Sequence, residues 1–254
     1  MNSKEFQWDS KFLQQEMSLR VYGDTGKLIL AFPTENGRYY DLENFGIIGV
    51  AQEYIDEGKL QIAAIDSCDS ENWLNHAIHP EERAQRYDNY VRYVISEVVP
   101  FLRKEQSLQP DETMGLLGIS LGGYHALNLF FRFPDLFDLV LSLSGKLRLE
   151  QYIGDYMDET VYYNAPMHYL KNLTDEKYLD KYRESQIIIC AGQGKWEEEM
   201  AQDAMELQML LRKKKVRSWL DIWGYDVDHD WKWWRNQCEY FLEQLFPLNE
   251  PDGA

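Results

Sequence analysis

Cysteine is scarce in this chain, which has only Cys68, Cys190 and Cys238 among 254 residues. The three lie far apart and none has C-x-x-C spacing, so the sequence predicts neither a disulfide framework nor a zinc cluster. We expect buried free thiols, because free cysteine packs as a small apolar side chain.

Basic residues are also few. The chain has 26 Lys and Arg against 43 Asp and Glu, and its formal net charge is −17. A field of this sign repels nucleic acid phosphates and anionic membrane surfaces. The charge therefore predicts no nucleic acid and no membrane as partners, and it favours a neutral or cationic small molecule.

Long apolar runs are missing. No stretch approaches the ~20 apolar residues that cross a bilayer, and residues 1–17 lack the apolar segment of a secretory signal. We therefore expect a cytoplasmic protein. The nucleotide motif G-x-x-x-x-G-K-[ST] and the metal motif H-E-x-x-H are absent as well, so we expect no cofactor and no metal.

Internal repeats and Pro- or Ser-rich linkers are absent too, which predicts a single domain over residues 1–254. Within it, short apolar runs alternate with helical patterns. The runs are 18–22, 27–32, 60–65, 114–119, 139–143, 186–191 and 216–223, and the helical patterns are 42–57, 81–103, 122–133, 198–214 and 231–245. This alternation predicts an α/β fold with a mostly parallel sheet covered by helices.

Two segments depart from the alternation. Residues 23–26 are rich in turn formers, which predicts that 18–22 and 27–32 form an antiparallel hairpin at the start of the sheet. Residues 146–180 show no clear period, which predicts an irregular, lid-like excursion beside the active-site mouth. Five of its tyrosines suit either an aromatic rim for substrate or ordinary packing: Tyr152, Tyr156, Tyr162, Tyr163 and Tyr169.

The motif G-x-S-x-G occurs once, at residues 118–122, directly after one predicted strand and before a predicted helix. That context is typical of the nucleophile elbow of the α/β-hydrolase fold and predicts Ser120 as the nucleophile. The alternative is a plain strand-to-helix turn, because the bare motif also arises by chance.

A serine nucleophile needs a neighbouring base. Of the five histidines only His229 comes late in the chain, after the last predicted strand, where this fold places its base. We expect His125 to be structural. The remaining three, His76, His79 and His168, are expected to be surface or outer-layer residues.

The triad acid should follow strand 186–191, where the sequence reads GQGKWEEE over residues 192–199. No aspartate is present, and Glu197 is the first carboxylate, so it is our prediction. Glu198 and Glu199 also suit the first turn of a helix. Asp226 and Asp228, beside the histidine, are further alternatives.

Acyl transfer also requires donors for the developing oxyanion. The backbone N–H of Leu121, which follows the nucleophile, should be one. The other is expected from the turn-rich segment 32–37 after an early strand, where we assign the N–H of Thr34. A plain strand-ending turn is the alternative there.

These residues resemble the putative esterase family, which includes esterase D-like, feruloyl-esterase-like and mycolyltransferase-like α/β hydrolases. The likeness is closest to a short, uncharacterised bacterial branch. It runs over nearly the whole chain, and its most specific motifs are GQGxWE at 192–197 and WGYDVxHDWxWWR at 223–235. The other matching segments are 32–34, 90–100, 118–123 with His125, 132–134 with Phe137, and 143–145.

The resemblance implies cofactor-free hydrolysis of carboxylic esters, with Ser120 as nucleophile and His229 as base. The chain departs from the family in two places. Many relatives carry aspartate in the acid loop, where Lys195 and Glu197 stand here, and many carry methionine at the position of Leu121.

Together these observations predict a serine esterase that acts on small-molecule esters through an acyl-enzyme intermediate. An acyltransferase with the same triad and a non-catalytic interaction protein of the same fold are the alternatives. A homo-oligomer is compatible with the sequence, which does not specify the natural substrate or the acyl-chain preference.

Overall fold

The strands form one mixed sheet. The computed structural model of the protein describes residues 1–248, which form eight strands in the order β1-β2-β4-β3-β5-β6-β7-β8. The strands are β1 (Ser3–Asp9), β2 (Glu16–Tyr22), β3 (Lys27–Phe32), β4 (Leu60–Ile65), β5 (Met114–Ile119), β6 (Phe137–Leu143), β7 (Gln186–Ala191) and β8 (Trp219–Ile222). Strands β3 to β8 are parallel, whereas β2 runs antiparallel to both β1 and β4.

Helices cover both faces of this sheet. They are α1 (Asp41–Asn44), α2 (Ile47–Asp56), α3 (Pro80–Tyr93), α4 (Val99–Glu105), α5 (Leu121–Arg132), α6 (Glu150–Ile153), α7 (Glu159–Asn164), α8 (Pro166–Asn172), α9 (Glu176–Glu184), α10 (Glu198–Lys213) and α11 (Trp231–Leu245). The predicted α/β fold, with a mostly parallel sheet and antiparallel N-terminal strands, is confirmed. None of the helices in the described part of the chain is long and apolar enough to cross a membrane.

The core consists of two layers, one on each face of the sheet. Leu116 and Leu117 are neighbours on β5 and belong to opposite layers, as side chains that alternate along a strand must. Helices α2 and α11 pack on one face, and α3, α5 and α10 pack on the other. Both faces are buried, which explains why the central strands are apolar at nearly every position.

The predicted hairpin at the start of the sheet is wrong. Its two segments form β2 and β3, but β4 lies between them. Gly26, in the turn between β2 and β3, packs against the start of β4 and has φ +88°. No side chain fits there, because a Cβ would lie 2.4 Å from the carbonyl carbon of Lys59. Strands β3 and β4 are buried almost throughout, so each is stabilised by neighbours on both sides.

Strand β1 was not predicted. Most of its side chains are exposed, and it is an edge strand that, within residues 1–248, pairs with β2 alone, from Ser3 opposite Tyr22 to Asp9 opposite Glu16. Phe6 and Trp8 lie on one face and pack against Phe101, but two apolar residues in a short, mostly polar strand give no clear hydrophobic period.

The sequence predicts an irregular segment over residues 146–180, and this prediction is wrong. The chain from Glu150 to Glu184 instead forms the four short helices α6 to α9. Local capping signals account for two of them, since Asp158 accepts from Val161 N–H and Asp175 accepts from Lys177 N–H. Helices of four to nine residues are too short to show a period across a long sequence window.

Two of the long helices predicted from the sequence are interrupted in the structure. The pattern 42–57 breaks at Gly46, where φ is +86° and a Cβ would lie 2.9 Å from Arg235 Cδ. The pattern 81–103 contains a π-helical turn, Val94–Val98, shortly before Pro100, which has no N–H to continue the regular hydrogen bonding.

Candidate active site

Ser120 stands at the carboxyl end of β5, on the turn into α5. Its backbone has φ +57° and ψ −123°, a region that residues with side chains occupy only when the surrounding structure enforces it. Its N–H donates to Leu143 O at 2.8 Å. The flanking glycines are sterically required, because a Cβ on Gly118 would lie 2.0 Å from Gly122 O and one on Gly122 would lie 2.1 Å from Pro33 O.

Replacing Gly122 with alanine is therefore expected to destabilise the protein by about 1–3 kcal/mol and to disturb the Ser120 turn, because the Pro33 backbone must move. Gly49 provides a matched control. It lies in α2 with no atom near an added Cβ, so Gly49→Ala should stabilise the protein by up to about 1 kcal/mol. Urea unfolding of both variants checks the prediction, and equal midpoints for the two would contradict it.

His229 follows β8 and lies two residues before α11, next to its N-cap residue Asp230. The imidazole Nε2 lies 2.9 Å from Ser120 Oγ. The backbone N–H of His229 donates to Lys195 O at 3.0 Å. The imidazole packs edge-on to the Trp234 ring with 4.7 Å between centroids. Only 16% of the side chain is exposed, so the ring is held by its surroundings while one nitrogen faces Ser120.

Glu197 is the N-cap residue of α10, and its side chain is fully buried. Oε1 lies 2.6 Å from His229 Nδ1. Oε2 accepts from Ser144 Oγ at 3.0 Å and from Gly192 N–H at 2.8 Å. These contacts satisfy a buried carboxylate, and they fit the imidazole tautomer that has its proton on Nδ1 and leaves Nε2 free to accept from Ser120.

The rival carboxylates do not contact the imidazole. Glu199 pairs with Lys146, and Glu198 is exposed in the first turn of α10. Asp228 Oδ1 accepts from Lys195 N–H at 2.6 Å, and Asp226 is exposed.

Two residues that complete the site were not predicted from the sequence. Ser144 directly follows β6, has φ +52° and donates to Glu197, while Trp234 Nε1 donates to Ser144 Oγ at 2.9 Å. A continuous set of hydrogen bonds therefore runs from Trp234 through Ser144, Glu197 and His229 to Ser120. The available signal was the position of Ser144, a polar residue at the end of the apolar strand that pairs with β5.

Loss of the Ser144 hydroxyl should lower activity moderately. It donates one of the two hydrogen bonds to Glu197 Oε2, and a hydrogen bond to a charged group contributes about 1.5–3 kcal/mol. We expect Ser144→Ala to reduce kcat by about tenfold. Ser142 Oγ is buried and has no hydrogen-bond partner among the described residues, so Ser142→Ala, measured in the same assay, should leave kcat unchanged.

The predicted oxyanion donors lie on two separate elements. Leu121 begins α5, and Thr34 lies in the loop after β3. Hydrogen bonds within helices and strands aside, no backbone carbonyl of the described residues accepts from the N–H of Leu121, Thr34 or Glu35. The cleft wall includes Glu35 rather than Thr34, so the N–H of Glu35 is a second candidate for the donor assigned to this loop.

Ser120 and His229 open into a cleft of about 350 Å³. Its other lining residues are Glu35, Leu74, His76, Leu121, Lys146, Gln151, Tyr152 and Met200. Tyr152 is therefore the tyrosine of the 146–180 segment that lines the cleft, whereas Tyr162, Tyr163 and Tyr169 line a different groove. Gln151 and Tyr152 bring part of the predicted excursion to the mouth of the site.

Charges of both signs line the cleft. Partial burial, together with repulsion from Asp69, raises the pKa of Glu35. Lys146 is paired with Glu199. The overall charge of −17 therefore does not describe the local field that a substrate would meet.

The other predicted features can be placed as well. All three cysteines are free and buried, as expected, and burial raises the pKa of each thiol, so none forms a thiolate nucleophile near neutral pH. His125 is fully buried, His76 lies at the cleft, and His79 caps α3. No cluster of three or more potential metal ligands occurs within residues 1–248.

Comparisons with solved structures place this geometry in a known fold. A ferulic acid esterase is 15% identical with a TM-score of 0.75, over 96% of this chain and 98% of that one. An S-formylglutathione hydrolase from Agrobacterium tumefaciens is 14% identical with a TM-score of 0.73, over 96% and 94%. The fluorophosphonate-binding serine hydrolase F of Staphylococcus aureus is 16% identical with a TM-score of 0.71, over 97% and 99%.

At these identities the similarity shows the α/β-hydrolase fold alone. No curated protein sequence matches the chain significantly. A sequence profile described as "Putative esterase" matches residues 32–241, a span that contains Ser120, Glu197 and His229. Because this match covers most of the chain, the protein belongs to the putative esterase family, and its membership supports ester hydrolysis as its activity.

Proposed function

We propose that the protein is a serine esterase that hydrolyses small-molecule carboxylic esters with Ser120, His229 and Glu197 as its catalytic triad. The observation that carries the proposal is the pair of contacts made by one imidazole, 2.9 Å from Ser120 Oγ and 2.6 Å from Glu197 Oε1. Serine is a weak nucleophile without such a base. The arrangement supplies the base and the carboxylate that orients it.

Acylation starts when Ser120 Oγ attacks the carbonyl carbon of the ester and its proton passes to His229 Nε2. The carbonyl oxygen becomes an oxyanion, which accepts from Leu121 N–H and from the N–H of Thr34 or Glu35. The tetrahedral intermediate then collapses. The bond to the alcohol oxygen breaks, and this oxygen takes the proton from His229 as the alcohol leaves.

Deacylation repeats the sequence with water as the nucleophile. His229 removes a proton from water, the hydroxide oxygen attacks the acyl carbon, and Ser120 Oγ recovers the proton when it leaves. Glu197 accepts from His229 Nδ1 and stabilises the imidazolium in both halves of the reaction. The products are one alcohol, one carboxylic acid and the free enzyme.

Fluorophosphonate labelling tests the proposal against a non-catalytic scaffold, because this probe reacts with an activated serine. We expect one phosphonyl group on the Ser120 peptide, identified by mass spectrometry, together with turnover of p-nitrophenyl acetate. Absence of both would contradict the proposal. An added alcohol that diverts most of the acyl group into a new ester would instead identify an acyltransferase.

A first substrate panel takes its chemical classes from the similar structures. One is named a ferulic acid esterase and another an S-formylglutathione hydrolase, so an ester of ferulic acid and a glutathione thioester should be compared with simple acetyl esters. The ranking of kcat/KM within this panel identifies the acyl and leaving groups that the cleft accepts.

A further inference from the structure

Asp69 and His125 form a buried polar pair that the proposed mechanism does not use. His125 Nε2 lies 3.0 Å from Asp69 Oδ1, and the side chains are 0% and 1% exposed. His125 belongs to α5, one turn after Ser120, whereas Asp69 begins a short 3₁₀ turn, Asp69–Glu71. The other imidazole nitrogen, Nδ1, lies 3.2 Å from Tyr87 Oη.

The second carboxylate oxygen of Asp69 contacts the loop after β3. Oδ2 accepts from Asn36 N–H at 3.0 Å, and Asn36 has a left-handed backbone with φ +54°. The next carbonyl, Gly37 O, accepts from both Ser67 N–H and Ser67 Oγ at 3.0 Å. The loop is therefore fixed from outside immediately after Thr34 and Glu35.

This connection joins the two elements that carry the proposed oxyanion donors. Leu121 is on α5, and Thr34 and Glu35 are on the loop. An oxyanion hole works only if both donors lie about 2.7–3.1 Å from the position of the oxyanion, so the spacing of α5 and the loop must be fixed. The path His125–Asp69–Asn36 is a direct polar link between them.

Apolar packing alone does not explain why a carboxylate and an imidazole are buried at this place. The His125 ring is packed against aromatic rings with centroids between 5.3 and 6.1 Å away, from Phe32, Tyr87, Tyr90 and Tyr124. A carboxylate in such a place is costly unless every oxygen is hydrogen-bonded. Here Asp69 Oδ1 is hydrogen-bonded to His125 on α5, and Oδ2 accepts from Asn36 N–H in the loop.

We propose that Asp69 and His125 are positioning residues of the oxyanion hole, which set the distance between the Leu121 N–H and the donor of the loop 33–37. This inference rests on the proposed esterase function. It concerns the transition state, because the oxyanion forms only there.

The test compares Asp69→Ala with Asp69→Asn. The alanine variant removes the acceptor for Asn36 N–H. The asparagine variant keeps an oxygen for that N–H, and its amide can donate to His125 Nε2 in the other tautomer. We expect Asp69→Ala to lower kcat by about 10²-fold with KM within about twofold of wild type, and Asp69→Asn to recover most of kcat.

Two further measurements separate positioning from a loss of folded protein. Rates are divided by the concentration of sites titrated with fluorophosphonate. Affinity for a trifluoromethyl ketone, which mimics the tetrahedral intermediate, should weaken in Asp69→Ala by the same factor as kcat/KM. If the pair only stabilised the fold, Asp69→Ala would lower the fraction of protein that fluorophosphonate titrates. It would leave kcat per titrated site and the affinity for the trifluoromethyl ketone unchanged.

A second pair of variants applies if Asp69→Ala does not fold. His125→Gln retains a donor for Asp69 and should stay close to wild type, whereas His125→Leu should lose kcat. Asn164→Ala is the matched control, since Asn164 is buried and its Oδ1 accepts from Asn128 of α5 at 3.1 Å, while its side chain has no hydrogen bond to Tyr87, Asp69 or His125 among the described residues. It should lower stability with kcat per titrated site unchanged.

Equal kcat per titrated site in wild type, Asp69→Ala and His125→Leu would overturn the positioning role and leave the proposed esterase function intact. A wild-type protein that neither labels nor turns over ester would overturn the proposed function, and this inference with it.

Discussion

Replacing Ser120 with alanine is expected to lower kcat for p-nitrophenyl acetate by about 10⁴- to 10⁶-fold, the range seen when a serine hydrolase loses its nucleophile. The physical reason is that Ser120 Oγ, at 2.9 Å, is the side-chain hydroxyl hydrogen-bonded to His229 Nε2 within residues 1–248. Initial rates at saturating substrate, after subtraction of spontaneous hydrolysis, measure the effect.

The fold should survive this change. Among the described residues, Ser120 Oγ hydrogen-bonds to the His229 side chain alone, so the thermal unfolding midpoint of Ser120→Ala should stay close to that of wild type. A variant that unfolds normally and keeps more than about a tenth of the wild-type rate would show that hydrolysis takes place elsewhere.

Replacing Glu197 with glutamine should lower kcat by about 10⁴-fold, as loss of the triad carboxylate does in serine proteases. Glu197 Oε1 accepts from His229 Nδ1 at 2.6 Å. A glutamine amide can donate to Nδ1 instead, which favours the tautomer with its proton on Nε2 and leaves no base for Ser120. Steady-state kinetics of the purified variant measure the loss.

The adjacent residue supplies the control for this prediction. Glu198 is exposed in the first turn of α10, so Glu198→Gln makes the same chemical change one residue away and should leave kcat within about twofold of wild type. The assignment of the acid would be wrong if Glu198→Gln lost activity while Glu197→Gln kept it.

The order and position of the candidate triad could be predicted because each member follows a strand that is recognisable on its own. Ser120, Glu197 and His229 lie after β5, β7 and β8, three parallel strands whose carboxyl ends meet at one edge of the sheet. The apolar runs determine these strands locally. The chemistry of the side chains then restricts which polar residue after each strand can serve.

The supporting contacts could not be predicted in the same way. Ser144 contacts Glu197 and Trp234, which are 53 and 90 residues away in the sequence. Asp69 contacts His125 from 56 residues away. Such pairs depend on the packing of elements from separate parts of the chain, and no local pattern reports them.

Strand order shows the same limit. The residues of β2 and β3 and the turn between them fit a hairpin locally, yet β4, which follows almost thirty positions after β3, takes the place between them. The decision depends on the burial of β3 and β4 on both faces, which is a property of the whole sheet.

The most direct test of the account is to trap the acyl-enzyme. The protein is mixed with excess p-nitrophenyl acetate, quenched in acid within the first turnovers and digested for mass spectrometry, with Ser120→Ala treated in parallel. We predict one acetyl group, located on Ser120 of the wild-type protein and absent from the variant. Acetylation of a different residue in wild type, with Ser120 unmodified throughout turnover, would contradict the proposed mechanism.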